Sequence, residues 1–195
     1  MVRYKIGSSI RKADYPVNKI FLDRWSPRAM GGEKISKKEL MTLFEAARWA
    51  PSSSNNQPWR FVYANNGSKH WKKFFDLLVE FNQMWAKNAS VLVCLCTKKT
   101  NKEGKPDRNH MSDAGAAWEN LALQASLMGL VCHGMGGYDV AKARKVLKVP
   151  KDHEVVHMFT LGRPGKLTMI NERMRKNEVP NSRNKVKDFV FEGSF

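Results

Sequence analysis

The sequence predicts an α/β chain folded as an α+β sandwich, and three observations carry the prediction. Leu40, Leu43, Phe44 and Ala47 recur at helical spacing behind Ser36 and Glu39, a capping-box pair three residues apart. Two runs, Val91 to Cys96 and Val155 to Leu161, are almost wholly apolar, as strands covered on both faces are. Between them Asp113 to Gly129 is small, alanine-rich and plainly helical. Helices alternating with strands in this way bury one layer against another.

Taken in order, the first strong helix starts at Ser36 and ends near Ala50, because Pro51 disfavours helical backbone at the residue before it. Trp59 to Ala64 reads as a strand. Trp71, Phe74, Phe75, Leu78, Phe81 and Trp85 mark one face of a second helix. An aromatic stripe of this kind belongs to a core or a subunit interface more often than to a ligand box. Val91 to Cys96 is the first buried strand, and Thr97 to Asn109 is a polar, charged loop. Asp113 is placed to cap the next helix. Ala114, Gly115, Ala116, Ala117, Ala122 and Ala125 keep that helix thin enough for another backbone to approach, which suits the core of a dimer, and Gly129 suits a left-handed C-cap. Val140 to Val149 is a short basic helix stopped by Pro150, and Val155 to Leu161 is the last strand. The chain shows no internal repeat and no linker, so 195 residues read as one domain, enough to bury about 70% of the unfolded surface.

An apolar fraction of 42% and a charged fraction of 27% are those of an ordinary globular protein. Only the first few residues and Asn171 to Lys187 carry a disorder-like composition. The net charge of +16 draws anions, phosphates and nucleotides to the surface. Its lysines are scattered (Lys37-Lys38, Lys72-Lys73, Lys98-Lys99, Lys142, Lys145), without the dense run of a nucleic-acid-binding arm, which makes nucleic acid a poor partner. Cys94, Cys96 and Cys132 lie in apolar surroundings, and their odd number and spacing fit neither a disulfide framework nor a zinc site. Met1 to Tyr15 holds no apolar segment of a secretory signal, and no run approaches the ~20 apolar residues of a membrane span. These features point to the cytoplasm.

The chemistry concentrates in Ala50 to Trp59, where three hydroxyls and three amides stand between or beside two prolines. A capped turn explains one or two of those side chains; a polar ligand held by backbone and short side chains explains all of them. Arg24, Ser26 and Arg28 place two guanidiniums and a hydroxyl within five residues, a phosphate-type donor set, although an isolated basic loop would look the same. Gly134, Gly136 and Gly137 leave backbone bare enough to admit a flat ring. Neither this turn nor Gly162 to Lys166 has the glycine spacing of a dinucleotide or Walker loop. His70, His110, His133, His153 and His157 have no metal-cage spacing, His157 reads as a core residue, and no Ser-His-Asp or Cys-His constellation is legible. No protein acid or base is assigned, which suits a protein whose cofactor carries the chemistry.

Four blocks in this order resemble the nitroreductase-like flavoproteins: Arg24-Trp25-Ser26-Pro27-Arg28, Pro51 to Trp59, Asp113 to Asp139 with its exit Gly134-Met135-Gly136-Gly137, and Leu161 to Gly165 followed by Ser182-Arg183-Asn184. The resemblance runs from residue 20 to 192. It implies a central, mostly antiparallel sheet flanked by helices and an intertwined homodimer with FMN at the interface. It further implies that Arg24, Ser26 and Arg28 reach the FMN phosphate or ring edge. Trp25 stands where the family often has a second basic residue, so only its backbone is expected to contribute. Pro51, Ser52, Ser53 and Asn55 would come from the opposite subunit, with Gln57 a structural bridge. Met135, Gly136 and Gly137 would lie along the isoalloxazine, and Arg183 would be the last phosphate arginine, with Arg173 and Arg175 as competitors. The implied activity is NAD(P)H-dependent, ping-pong reduction of a small-molecule oxidant, a nitroaromatic or quinone. A non-catalytic flavin-storage protein on the same fold and a basic nucleic-acid-binding protein are the alternatives from other classes.

Overall fold

A computed structural model describes residues 6–195. Its elements are α1 (Lys19–Asp23), α2 (Lys37–Arg48), β1 (Trp59–Asn65), α3 (Trp71–Phe75), α4 (Glu80–Ala86), β2 (Val91–Lys98), α5 (His110–Leu127), β3 (Val131–Met135), α6 (Val140–Val146), β4 (His153–Gly162) and α7 (Glu172–Arg175). The strands form one antiparallel sheet in the order β1-β2-β4-β3. The two apolar runs occupy its centre because only central strands are covered on both faces; Val91 to Thr97 is buried without a break.

Helices cover both faces. On one, Leu40, Leu43 and Ala47 of α2 and Ala114, Ala117, Leu121 and Ala125 of α5 pack on Val93, Leu95, Phe159 and Leu161. On the other, Phe74, Leu77, Trp85, Ala143 and Met174 pack on Leu92, Cys94 and Met158. Each fully buried leucine or phenylalanine here is worth about 1.5–3 kcal/mol. The capping box at α2 forms as predicted: Ser36 Oγ accepts the Glu39 N–H (3.2 Å) and Glu39 Oε2 accepts the Ser36 N–H (2.8 Å). Gly129 takes the left-handed conformation after α5 (φ +67°).

Several expectations are corrected. Residues 71–85 are two helices, because the turn between them pairs with the segment after β3: Val79 N–H donates to the Gly137 carbonyl, Asp139 N–H donates to the Leu77 carbonyl, and Leu78 bridges Tyr138. That backbone pairing outweighs helical periodicity and leaves Phe81 exposed. Asp113 is not the cap of α5, which starts three residues earlier, at His110. Helix α6 ends at Val146, and Lys148 (φ +55°) turns the chain before Pro150. β3 has no apolar run to announce it. Asn171 to Lys187 is built in rather than disordered, with Met174, Glu178 and Pro180 buried. The first residues, Met1 to Lys5, lie outside the described ones. Among the described residues no helix is long and apolar enough to cross a membrane.

Candidate functional site

The polar loop after α2 is held in an uncommon backbone conformation. Ser54 (φ +49°), Asn55 (φ +53°) and Gln57 (φ +49°) are left-handed within four positions, where non-glycine residues are costly unless the surroundings impose them. The surroundings do so. Asp113 Oδ2 accepts the Ser53 N–H (3.1 Å), Ser52 Oγ accepts the Gln57 N–H (3.1 Å), and Gln57 Nε2 donates to Asn55 Oδ1 (2.9 Å). Asn56 ties the loop to the charged segment by donating to Asp107 (2.8 Å). Gln57 and Asn56 are thus spent on the loop itself.

The arginine block lies further along the same helix. Arg24 Nε sits 3.4 Å from Glu119 of α5, and Arg24 and Trp25 share a cavity of about 280 Å³ with Ala122, Ser126 and Cys132. From Asp113, which anchors the polar loop, to Glu119 and Ser126 is about 9–20 Å at 1.5 Å per residue. Within one chain the polar loop is therefore anchored near the start of α5, and Arg24 lies along its middle and C-terminal half.

The block and the glycine turn come together. His133, on β3, places Nδ1 3.0 Å from the Pro27 carbonyl and stacks obliquely on Trp85 (4.5 Å). Burial holds the His133 imidazole down at about 4, with the Arg28 charge acting in the same direction, so the ring is neutral at pH 7. Arg28 lies over the Phe81 ring at 5.9 Å, and the next residue, Asn82, donates to the Gly137 carbonyl (2.9 Å).

The three glycines divide in their roles. A Cβ on Gly134 would meet the Trp118 indole at 3.2 Å, and one on Gly137 would meet Asn82 and Val79 at 2.8 Å. At both positions the fold's own packing already calls for glycine. Gly136 has nothing within 4 Å of that position and is exposed, so the flat approach surface is there, beside buried Met135.

Arg183 is exposed on the rim of a cleft of about 960 Å³ between the N-terminal segment and residues 182–189. Arg11, which no motif announces, joins it to the block: its guanidinium donates to the carbonyls of Asn181 (2.7 Å), Leu22 (2.9 Å) and Arg24 (2.7 Å). Burial and then the nearby charges of Arg183 and Arg24 lower the Arg11 pKa. Arg175, on α7, by contrast donates to the Ile170 carbonyl just before that helix. Glu178 is the other residue that sequence reasoning missed; its carboxylate accepts the backbone N–H groups of Arg28 and Ala29. Neither Arg11 nor Glu178 has a sequence neighbour that would have flagged it.

The donor set fits a phosphorylated aromatic cofactor. Guanidiniums at Arg24 and Arg28 offer charge for a phosphate, and Arg183 lies near Arg11, which binds the Arg24 carbonyl. Arg28 Nε is buried with no hydrogen-bond partner among the described residues. The opening at Gly136 admits a ring plane.

Comparison with known proteins agrees with this reading of the fold. The family model described as Nitroreductase family matches residues 22–84 and 72–163. An oxygen-insensitive NADPH nitroreductase of Helicobacter pylori (strain J99) is 39% identical over 184 aligned positions, covering 75% of this chain and 85% of that protein. The crystal structure of an oxidoreductase containing FMN superposes with a TM-score of 0.91 at 44% identity, over 95% of this chain and 96% of that one. A nitroreductase family protein from Clostridium difficile shares the fold, with a TM-score of 0.67 at 21% identity over 88% and 95% of the two chains.

Proposed function

We propose that this chain, which belongs to the nitroreductase family, is an FMN-dependent oxidoreductase that uses NADH or NADPH to reduce nitroaromatic or quinone-type acceptors. The observation that carries the proposal is the Arg28 end of the arginine block lying beside the turn that opens at Gly136, joined to it through His133, Trp85 and the Phe81–Asn82 corner. The structural relative at 44% identity contains FMN, and the Helicobacter relative is an NADPH nitroreductase; both support the assignment of cofactor and donor.

Arg24, Arg28 and Arg183 would hold the phosphate and supply positive charge where negative charge builds. Ser26 and the Trp25 backbone stand beside them, and Met135, Gly136 and Gly137 line the ring. Pro51, Ser52, Ser53 and Asn55 are anchored at the first turns of α5, away from the arginine block, and would complete the site of a second copy. The protein is then a homodimer with one domain of residues 1–195 per subunit. FMN, when bound, supplies the hydride chemistry, with donor and oxidant alternating at one ring in ping-pong order. The protein's part is to bind and orient; none of the described side chains is assigned as an acid or base. The +16 surface favours anionic donors, and three free, buried thiols fit the cytoplasm.

The test is the visible absorption spectrum of the purified protein during anaerobic addition of NADPH and then NADH. A flavin spectrum that bleaches supports the oxidoreductase, and the faster donor settles the preference. A flavin spectrum that persists favours flavin storage on the same fold. A colourless protein that takes up no added FMN overturns the assignment.

A further inference from the structure

We propose that Glu178 is a positioning residue for the phosphate end of the cofactor site, fixing the Arg24–Arg28 block from 150 residues away in sequence. The inference rests on the functional reading above, since it gives that block a phosphate to hold.

The Glu178 side chain is only 2% exposed. A buried carboxylate is costly unless hydrogen bonds and opposite charge compensate it, so its partners indicate what it is for. Its Oε1 takes the N–H groups of both Arg28 and Ala29, the second at 2.8 Å. This fixes the backbone at the end of the arginine block. The other oxygen is used differently. Oε2 lies 3.7 Å from Arg28 Nη1, beyond hydrogen-bond distance, and is buried without a hydrogen-bond partner among the described residues. Arg28 Nε is likewise buried and has no hydrogen-bond partner among the described residues.

An arginine–carboxylate pair whose job is cohesion closes into a two-pronged fork. Here the fork stays open. The carboxylate attracts the guanidinium without consuming its donors, and the Arg28 side chain remains 28% exposed, with its guanidinium over Phe81. Arg28 is held in place with N–H groups to spare for an anion. A second fastening supports the first. Arg11 joins the Asn181 carbonyl to those of Leu22 and Arg24, so residues 178–181 are tied to residues 22–29 at two points. The block is thereby shaped before any ligand arrives, which lowers the ordering cost of binding.

The test compares dissociation constants for FMN and for riboflavin, which lacks the phosphate, by quenching of flavin fluorescence. Glu178→Ala removes both the reach and the charge. It is expected to weaken FMN about 30-fold, the scale of one hydrogen-bonded charge, while changing riboflavin less than about twofold. Glu178→Gln keeps an oxygen at the same reach and is expected to stay within about threefold of wild type for FMN. Glu178→Asp keeps the charge one methylene short. It is expected to lose about tenfold for FMN and serves as the decisive variant if the alanine protein does not fold. A ratio of FMN to riboflavin affinity unchanged in both Glu178→Ala and Glu178→Asp overturns the inference, as does a glutamine variant as weak as the aspartate one. A wild-type protein that binds riboflavin as tightly as FMN, or binds neither, overturns the phosphate reading of the site itself.

Discussion

Acidification should unfold this protein through two histidines, and His157→Phe should remove half of the effect. Burial holds both His133 and His157 down at about 4, well below the ordinary imidazole range. In the unfolded chain each titrates near 6.5, so between these values the unfolded state binds more protons and stability falls as pH falls. The contribution is complete above the unfolded value and is lost on the way down to the folded one. Integrating the linkage relation from pH 6.5 to 4.5 gives a loss of about 2 kcal/mol per histidine, about 4 kcal/mol for the pair. The carboxylates of Glu39 and Glu45, held at about 2 by their hydrogen bonds, come into play only below this window. His157 is the cleaner one to replace. It meets Trp118 edge-on at 4.9 Å and Phe159 at 5.8 Å, and its buried Nε2 has no partner among the described residues, so an aromatic hydrocarbon replaces a nitrogen that forms no hydrogen bond. The assay is urea unfolding at half-unit pH steps, with stability extrapolated to water. The variant should lose about 2 kcal/mol across the window where the wild type loses about 4, and at pH 7.5 should lie within about 1.5 kcal/mol of it. Identical pH slopes for the two proteins would refute the assignment of His157 as a buried neutral base.

Three further outcomes follow from particular contacts. Gly137→Ala drives a methyl to within 2.8 Å of Asn82 and Val79 and should cost about 2 kcal/mol, or about 4–8 °C in a thermal melt, whereas Gly136→Ala enters open space, should leave the melt unchanged, and should weaken FMN if the ring lies there. Arg24→Ala releases only the part-exposed Glu119 and should weaken FMN at least tenfold with little change in stability; Arg28→Ala strands the Glu178 carboxylate and should cost about 3 kcal/mol by urea titration as well, and full FMN retention by the Arg24 variant would show that the phosphate binds elsewhere. Cys94, Cys96 and Cys132 are all buried, and burial pushes the Cys132 thiol up to about 12, so a thiol reagent should label none of them in the native protein and all three in urea; rapid native labelling would contradict the packing of β2 and β3.

The sequence by itself determined what depends on neighbours along the chain. Ser36 and Glu39 specify the start of α2, Pro51 specifies its end, the apolar runs specify the central strands, and Gly129 specifies the exit from α5; each rests on capping, periodicity or a glycine backbone within a few residues. The polar character of residues 51–58 and the pair Arg24 and Arg28 were legible for the same reason. Tertiary structure decided the rest. The break between α3 and α4 exists because Val79 and Leu77 pair with Gly137 and Asp139, about 60 residues on, and that pairing outweighs a helical stripe. β3 is a strand because β4 lies beside it, and Asp113 holds Ser53 rather than capping α5 because the loop packs there. Arg11 and Glu178 belong to the candidate site through partners 11 to 170 residues distant. Such pairings leave no periodic trace. Their selection lies in the cost of burying a charge or a backbone donor unmatched, and that cost exists only once the fold has excluded water.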